Sequence, residues 1–306
     1  MSFMVLEERI ARCREAARLL PEHLQRPVLD CGGEICALAE EFRLRIGQPL
    51  SLLGPNGEAC FRTEPVCAGD LQTVLDRATE FSAYRCADSI RRGYITVRGG
   101  CRVGLCGTVV LRGGEIATVQ ELSSVSIRIA KAVEGCAASL YPQLWNGRQF
   151  DSTLFIAPPG GGKTTLLRDL IRLLSNGDED HPPLRLCVAD ERGEIAAVCG
   201  GRAQFDVGRQ TDVLSGAPKA EGILMLLRSM NPQVIAVDEI TDPEDIQAML
   251  LASNCGVSFL ATVHGRDLQE IRRRKICQDL LETELFHQFV ILERKNGTRQ
   301  YRVERC

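Results

Sequence analysis

Residues 153–174 constrain this 306-residue chain more than any other stretch. "TLFIA" (153–157) is an unbroken apolar run of strand length, and "PPGGG" (158–162) cannot continue it. "KTTLLRDLIRLL" (163–174) then places Leu166, Leu170, Leu173 and Leu174 on one helical face. A strand that enters a helix through a glycine loop is the start of a βαβ unit. The rest of the second half repeats the alternation. The strand-like runs "RLCVAD" (185–190), "QVIAV" (233–237) and "VSFLAT" (257–262) alternate with helical patterns near 218–229 and 243–252. Apolar strands separated by helices predict a parallel sheet covered on both faces. "HQFVILERKNGTRQYRVE" (287–304) closes the chain with two strands about Asn296-Gly297, a strong hairpin signal.

The first half has a different texture. Leu6, Ile10, Cys13, Ala17 and Leu20 follow helical spacing until Pro21 stops the pattern. "RLRIGQPLSLL" (43–53) reads as one strand running into a Pro-Asn-Gly turn, and 69–84 as an amphipathic helix with Asp70 as its N-cap. Short strands punctuated by Gly-Gly pairs follow over 93–120, and then alternating Val125, Ile127 and Ile129 before a helical tail. These patterns predict an α+β domain over residues 1–147, with "WNGRQF" (145–150) as the turn into an α/β domain over 148–306.

The formal net charge is −3, so no basic field argues for a nucleic acid or an anionic lipid surface. The start, "MSFMVLEERIARCREAARLL", carries acids where a secretion signal needs a basic flank. No run of about 20 apolar residues is present to span a membrane, and a cytosolic protein is expected. None of the 14 cysteines forms a C-x-x-C pair. They read as free thiols filling apolar space, with redox sensing or an unrecognised metal site as the alternatives.

The glycine loop follows G-x-x-x-x-G-K-[ST], a phosphate cradle, with Gly162, Lys163 and Thr164 in place and Ala157 at the first glycine position. Alanine is tolerable there if its φ stays negative. The flexible demand then falls on Gly160, Gly161 and Gly162, whose N–H groups can turn toward phosphate oxygens. The expected nucleotide-binding loop is Ala157, Pro158, Pro159, Gly160, Gly161, Gly162, Lys163, Thr164 and Thr165. The helix that follows directs unpaired N–H groups and its positive dipole end at an anion. Lys163 is expected at the β- and γ-phosphates of ATP, and the Thr164 hydroxyl on Mg²⁺.

Such a loop needs an acidic partner, and "VIAVDEI" (234–240) supplies one at the end of an apolar strand. Asp238 is expected to hold Mg²⁺, directly or through water, and Glu239 to orient or deprotonate the attacking water. "LCVADERGE" (186–194) ends another strand with Asp190, Glu191 and Glu194, and "FLATVHG" (259–265) a third with Thr262 and His264. Ligands of parallel sheets gather beyond the carboxyl ends of strands, so Glu191 and His264 are further catalytic candidates. A capping acid and a surface histidine are the plain alternatives.

In order and spacing these motifs resemble the secretion and pilus ATPases. In that family the glutamate after the fourth strand is catalytic, which falls on Glu239. The preceding residue is usually glycine there, whereas this chain has Asp238, as in a generic RecA-type ATPase. A resemblance to the stage III sporulation AA family covers nearly the whole chain. It is carried by "EFRLRIGQPL", "GYITVRGGCRVGLCG", "SVSIRIAKAVEG", "APPGGGKTTLLRDLIR", "TDVLSGAPKAEGILMLLRSMNPQVIAVDEI" and "GVSFLATVHG". Gln210 stands where the pattern carries an arginine, with Arg209 beside it.

This resemblance implies a RecA-like/AAA+ P-loop NTPase domain with a parallel sheet, preceded by a smaller α+β domain. It also implies a Mg-dependent ATPase in a ring of copies, six in the expected form. That ATPase acts from the mother-cell cytoplasm with membrane proteins of a channel to the forespore. A RecA-like ATPase on nucleic acid and a nucleotide-gated scaffold are the competing readings. The 5% aromatic content weighs against the first, because single-strand binders need stacking platforms. Glu239 weighs against the second. Arg272-Arg273-Arg274-Lys275 reads as a solvated helix face. Arg43, Arg45 and Arg128 lie on strand-like segments of the first domain. Alternation directs Arg128 away from the face of Val125, Ile127 and Ile129, so it is expected to complete a neighbouring copy's site. A surface arginine in a local salt bridge is the alternative.

Overall fold

A computed structural model describes residues 3–82, 86–295 and 298–305. The chain divides into two compact units, residues 1–132 with 199–204, and residues 133–198 with 205–306.

The first unit begins with helices α1 (Phe3–Ala17), α2 (Glu22–Asp30) and α3 (Gly33–Leu38). Strands β1 (Glu41–Arg45), β2 (Ser51–Gly54) and β3 (Gly57–Cys60) follow, then α4 (Ala68–Ala78) and α5 (Ala87–Arg91). Strands β4 (Tyr94–Thr96), β5 (Arg102–Arg112) and β6 (Glu115–Arg128) complete an antiparallel sheet of order β3-β2-β1-β6-β5-β4.

Four local expectations change. Residues 43–53 form parts of two paired strands, because the chain turns between Arg45 and Ser51. Asp70 lies inside α4, where its Oδ2 accepts the Cys67 N–H at 2.8 Å, so it caps from the third helical position. The short strands expected over 93–120 are mainly one long hairpin, β5 and β6. The helical tail expected after Ile129 is absent, since residues 134–140 are turns and only a short 3-10 helix follows at Tyr141–Leu144. Val125, Ile127 and Ile129 are buried as the alternation requires, and Arg128 between them is exposed. Every described cysteine is a free thiol, and burial pushes Cys31 and Cys187 up to about 12, which leaves them protonated fillers.

The second unit carries a small hairpin, β7 (Trp145–Asn146) and β8 (Gln149–Phe150), then β9 (Thr153–Ala157), α6 (Lys163–Asn176) and β10 (Leu186–Asp190). It continues through β11 (Thr211–Ser215), α7 (Lys219–Met230), β12 (Val234–Glu239), α8 (Pro243–Ser253) and β13 (Ser258–His264). Helices α9 (Leu268–Ile271) and α10 (Lys275–Glu282) and strands β14 (Gln288–Lys295) and β15 (Thr298–Arg305) end the chain. The sheet order is β11-β10-β12-β13-β9-β14-β15, parallel except for β15. Asn296-Gly297 lies outside the described residues, while β14 and β15 on either side pair antiparallel.

Burial on both faces explains the unbroken apolar strands. Phe155 and Ala157 of β9 pack with Leu166, Leu167, Leu170 and Ile171 of α6. Leu154 and Ile156 face the other way, into a core with Ile223 of α7 and Met249 of α8. β12 divides likewise, with Val234 and Ala236 on the first side and Ile235 and Val237 on the second. Edge strand β11 was not expected from sequence, because only half-buried and exposed residues compose it. Among the described residues no helix is long and apolar enough to cross a membrane.

Residues 133–147 belong to the second unit, whereas the sequence pattern sets the boundary after 147. Ala137, Leu140, Tyr141, Leu144 and Trp145 share the core of α6. Buried Asp169 of α6 anchors this segment by accepting the N–H groups of Gly135 at 3.1 Å and Ala137 at 2.8 Å, with Arg172 at 2.7 Å. Asp169→Ala strands these donors and is expected to destabilise the protein by about 1–3 kcal/mol, read as a lower urea midpoint.

Candidate functional site

The glycine loop joins β9 to α6 at the carboxyl edge of the parallel sheet. Gly160 and Gly162 hold φ of +71° and +88°, left-handed conformations that a side chain resists. At Gly161 a Cβ would lie 2.9 Å from the Pro158 carbonyl oxygen. Ala157 is not among the residues with positive φ, which is why alanine is accommodated there. Its carbonyl accepts the Gly265 N–H at 3.1 Å and Lys163 Nζ at 3.3 Å.

Three adjacent strands, β12, β13 and β9, bring the other groups to this loop. The ladder between β12 and β13 pairs Val237 with Ala261 and Glu239 with Thr262, so Asp238 is an extra residue in a bulge. A bulge re-aims side chains, and here both acids reach partners at the strand end. The Asp238 carboxylate accepts Thr164 Oγ1 through Oδ2 and Thr262 Oγ1 through Oδ1, each at 3.1 Å. His264 bridges the other pair, with Nδ1 at 2.5 Å from Lys163 Nζ and Nε2 at 3.0 Å from Glu239 Oε2. An ammonium donating to Nδ1 and an Nε2–H donating to the carboxylate satisfy all three groups.

Burial dominates the electrostatics. It pushes the Asp238 carboxyl above its ordinary range, and Glu194 adds to this, against the two threonine hydroxyls and Lys163. Burial pulls the Lys163 ammonium down, against the charges of Glu239 and Asp238. Asp190 is likewise pushed up by burial, although it accepts the N–H groups of Glu194, Ile195 and Ala196 at 2.9, 3.2 and 2.9 Å. These bonds shape the loop that carries Glu191 and Glu194.

Lys163, Thr164, Asp238, Glu239 and His264 are thus brought together. Glu191 stands one residue past β10, 3.6 Å from Lys219 Nζ. Arg128 ends β6 in the first unit, exposed and without an acidic partner among the described residues, whereas Arg43 pairs with Glu41 and Arg45 with Glu58. Gln210 and Arg209 precede β11, and the Gln210 carbonyl accepts the Leu186 N–H at the amino ends of the strands, opposite the site. Arg274 departs from the solvated face expected of its cluster. Its Nη1 donates to the His264 carbonyl at 2.7 Å and its Nη2 to Glu270 at 2.6 Å. Lys219 faces Glu191 from the start of α7. A lysine at the first position of a helix, where the dipole disfavours a cation, is the mark it leaves in the sequence.

The chain is similar in fold to solved structures of an ATPase and of a pilus motor. It aligns over 87% of its length with 76% of the Legionella pneumophila ATPase DotB, at a TM-score of 0.55 and 16% identity. It aligns over 89% with 81% of the pilus retraction motor PilT with bound ADP, at 0.57 and 16%. The fold is the P-loop ATPase fold of DotB and PilT, α/β with a mostly parallel sheet.

The family model of sporulation stage III, protein AA, matches residues 11–303. Stage III sporulation protein AA of Bacillus subtilis (strain 168) is 37% identical over 283 residues, 92% of each chain. The chain therefore belongs to the sporulation stage III protein AA family.

The raised Asp238 carboxyl has a consequence for stability. A carboxyl raised on folding favours the native state while protonated and weakens it once ionised, so its cost appears as pH rises through the folded-state value. Asp238→Asn removes that cost and the pressure on Asp190. Thermal melting at neutral pH is expected to show a Tm higher than wild type by roughly 2–4 °C per kcal/mol relieved. The difference should vanish below about pH 4, where the unfolded carboxyl is also protonated.

Proposed function

We propose that the chain hydrolyses ATP with Mg²⁺ at the carboxyl ends of β9, β12 and β13. The observation that carries this reading is the Asp238 carboxylate, held between hydroxyls from two other elements, Thr164 and Thr262, at 3.1 Å each. A hard divalent cation fits this donor set, which is all oxygen. Magnesium is bound in such sites by one or two carboxylates with substrate phosphate oxygens and waters, which matches a site that offers one carboxylate and a hydroxyl. Thr164 and Asp238 would hold the ion, which when bound offsets the charge on the phosphoryl oxygens.

The remaining roles fall to the chain's own groups. The N–H groups of Gly160 and of Gly162 to Thr165 and the Lys163 ammonium bind the β- and γ-phosphates, while the Gly161 N–H donates to the Pro158 carbonyl at 3.0 Å. Glu239 accepts the proton of the attacking water. His264 orients Glu239 through Nε2 and couples it to Lys163 through Nδ1. Arg128, exposed and without an acidic partner among the described residues, supplies a guanidinium to the site of a neighbouring copy in a ring of six. Family membership supports the cellular role of powering assembly of, or transport through, a membrane channel between mother cell and forespore. The ring would work from the mother-cell cytoplasm, attached to the membrane through partner proteins, with no direct contact to nucleic acid.

Lys163→Ala is expected to abolish binding of a fluorescent ATP analogue, and an unchanged affinity would remove the cradle from consideration. Glu239→Gln should keep that affinity while steady-state turnover falls roughly 10²–10⁴-fold. Equal loss of binding in both variants would refute the general-base role. Binding without turnover in the wild type would favour a nucleotide-gated scaffold.

The shared site is tested by mixing subunits. Arg128→Ala and Glu239→Gln chains, each inactive alone, are expected to regain partial ATPase activity in mixed assemblies. Mixtures that assemble and stay inactive, or full activity in a sedimenting monomer, would contradict it.

A further inference from the structure

Lys219 opens α7 directly after Pro218, and only 7% of it is exposed. Two effects make this a costly place for a cation. Burial strips the ammonium of water, and the first turn of a 12-residue helix presents the positive end of its dipole. A lysine there needs compensating carboxylates, and two face it. Asp245 Oδ2 lies 3.1 Å from Nζ and Glu191 Oε2 lies 3.6 Å away.

These acids arrive from two neighbouring strand ends. Glu191 follows the last residue of β10. Asp245 lies in the first turn of α8, and the same Oδ2 accepts the N–H groups of Thr241 at 3.4 Å and Asp242 at 3.3 Å. That backbone begins two residues after Glu239. The parent strands β10 and β12 are paired, with Ala189 opposite Val237. α7 itself is held against β10 at Gly222, where a side-chain carbon would lie 3.5 Å from the Ala189 Cβ. The ammonium is therefore fixed above the junction of the two strand ends.

As a stabilising device this pair is a poor choice, because apolar side chains of similar volume serve a buried site as well or better. What the ion pair adds is geometry. The Glu191 side chain, 41% exposed, gains a fixed partner, and the loop after Glu239 is tied to that same partner through Asp245. We infer that Lys219 is a positioning residue that holds Glu191 and the 239–242 loop in register for hydrolysis, an inference that rests on the ATPase reading above.

The test separates positioning from stability. The paired substitution Lys219→Met with Asp245→Asn removes both buried charges together and keeps a side-chain oxygen to accept the Thr241 and Asp242 N–H groups. It is expected to melt near the wild-type Tm and to keep wild-type affinity for a fluorescent ATP analogue with Mg²⁺. Its kcat should nonetheless fall roughly 10- to 100-fold, the scale of a small misplacement of reacting groups. Glu191→Gln should show a similar kcat loss, and adding it to the pair should cost little more. Lys219→Arg, which keeps the charge, should retain most of the turnover. If the pair does not fold, Glu191→Gln and Lys219→Arg carry the test, because one changes a partly exposed side chain and the other preserves the ion pair. Normal kcat in the folded pair, or in Glu191→Gln, overturns the inference, as does a Glu191→Gln loss that multiplies in full with that of the pair. A wild type without turnover overturns the ATPase reading and this inference with it. An active wild type with an equally active pair overturns this inference alone.

Discussion

The Asp238 carboxylate joins three elements at one point. Thr164 reaches it from the first turn of α6 and Thr262 from β13, while Asp238 itself belongs to β12. In the sheet β13 lies between β12 and β9, so the loop after β9 meets the acids of β12 only across β13. Thr262 and His264 occupy that crossing. Thr262 donates to the same Asp238 carboxylate as Thr164 of α6, and His264 ties Lys163 to Glu239 through an imidazole. The bulge at Asp238 makes both links possible, since regular pleating would send consecutive residues to opposite faces.

The same convergence concentrates charge. Asp190, Asp238, Glu239, Glu191 and Glu194 end two paired strands, and burial pushes two of them toward protonation. A chain selected for stability alone would not gather acids so closely. The crowding is balanced from two sides, by Lys163 beside Glu239 and Asp238 and by Lys219 between Glu191 and Asp245. Backbone N–H groups hold Asp190, the most deeply buried of the five. Strain of this kind at strand ends is the expected companion of the site proposed above for Mg²⁺ and ATP.

The scaffold beneath is rigid where the site needs it. β9, β10 and β12 are apolar on both faces, with α6 on one side and α7 and α8 on the other. Asp169 extends that order to residues 135–137 by accepting the N–H groups of Gly135 and Ala137, so the helix that begins at the glycine loop is also anchored along its length. Arg274 plays a similar part for His264, since its guanidinium holds the histidine's own carbonyl and leaves the ring free to face Lys163 and Glu239.

Local chemistry made much of this legible in the sequence. The glycine loop, the helix after it and the acids at 238 and 239 are short-range patterns, and alternating apolar runs and helical faces follow from the periods of strand and helix. The apolar face of Val125, Ile127 and Ile129, with Arg128 outside it, was readable for the same reason. Other features depend on contacts between distant residues. The bulge at Asp238 is a property of the β12–β13 ladder. Lys219 acquires meaning only when β10 and α8 bring Glu191 and Asp245 to it from 28 and 26 positions away, and His264 only when the strand order places it between Lys163 and Glu239. Residues 133–147 join the second unit because Asp169 and the core of α6 accept them, although their local sequence reads as the end of the first. Hydrophobic period and turn chemistry act over a few residues and so specify the elements. Which elements become neighbours, and therefore which charges must compensate one another, depends on burying both faces of one sheet, a condition that only the whole chain can satisfy.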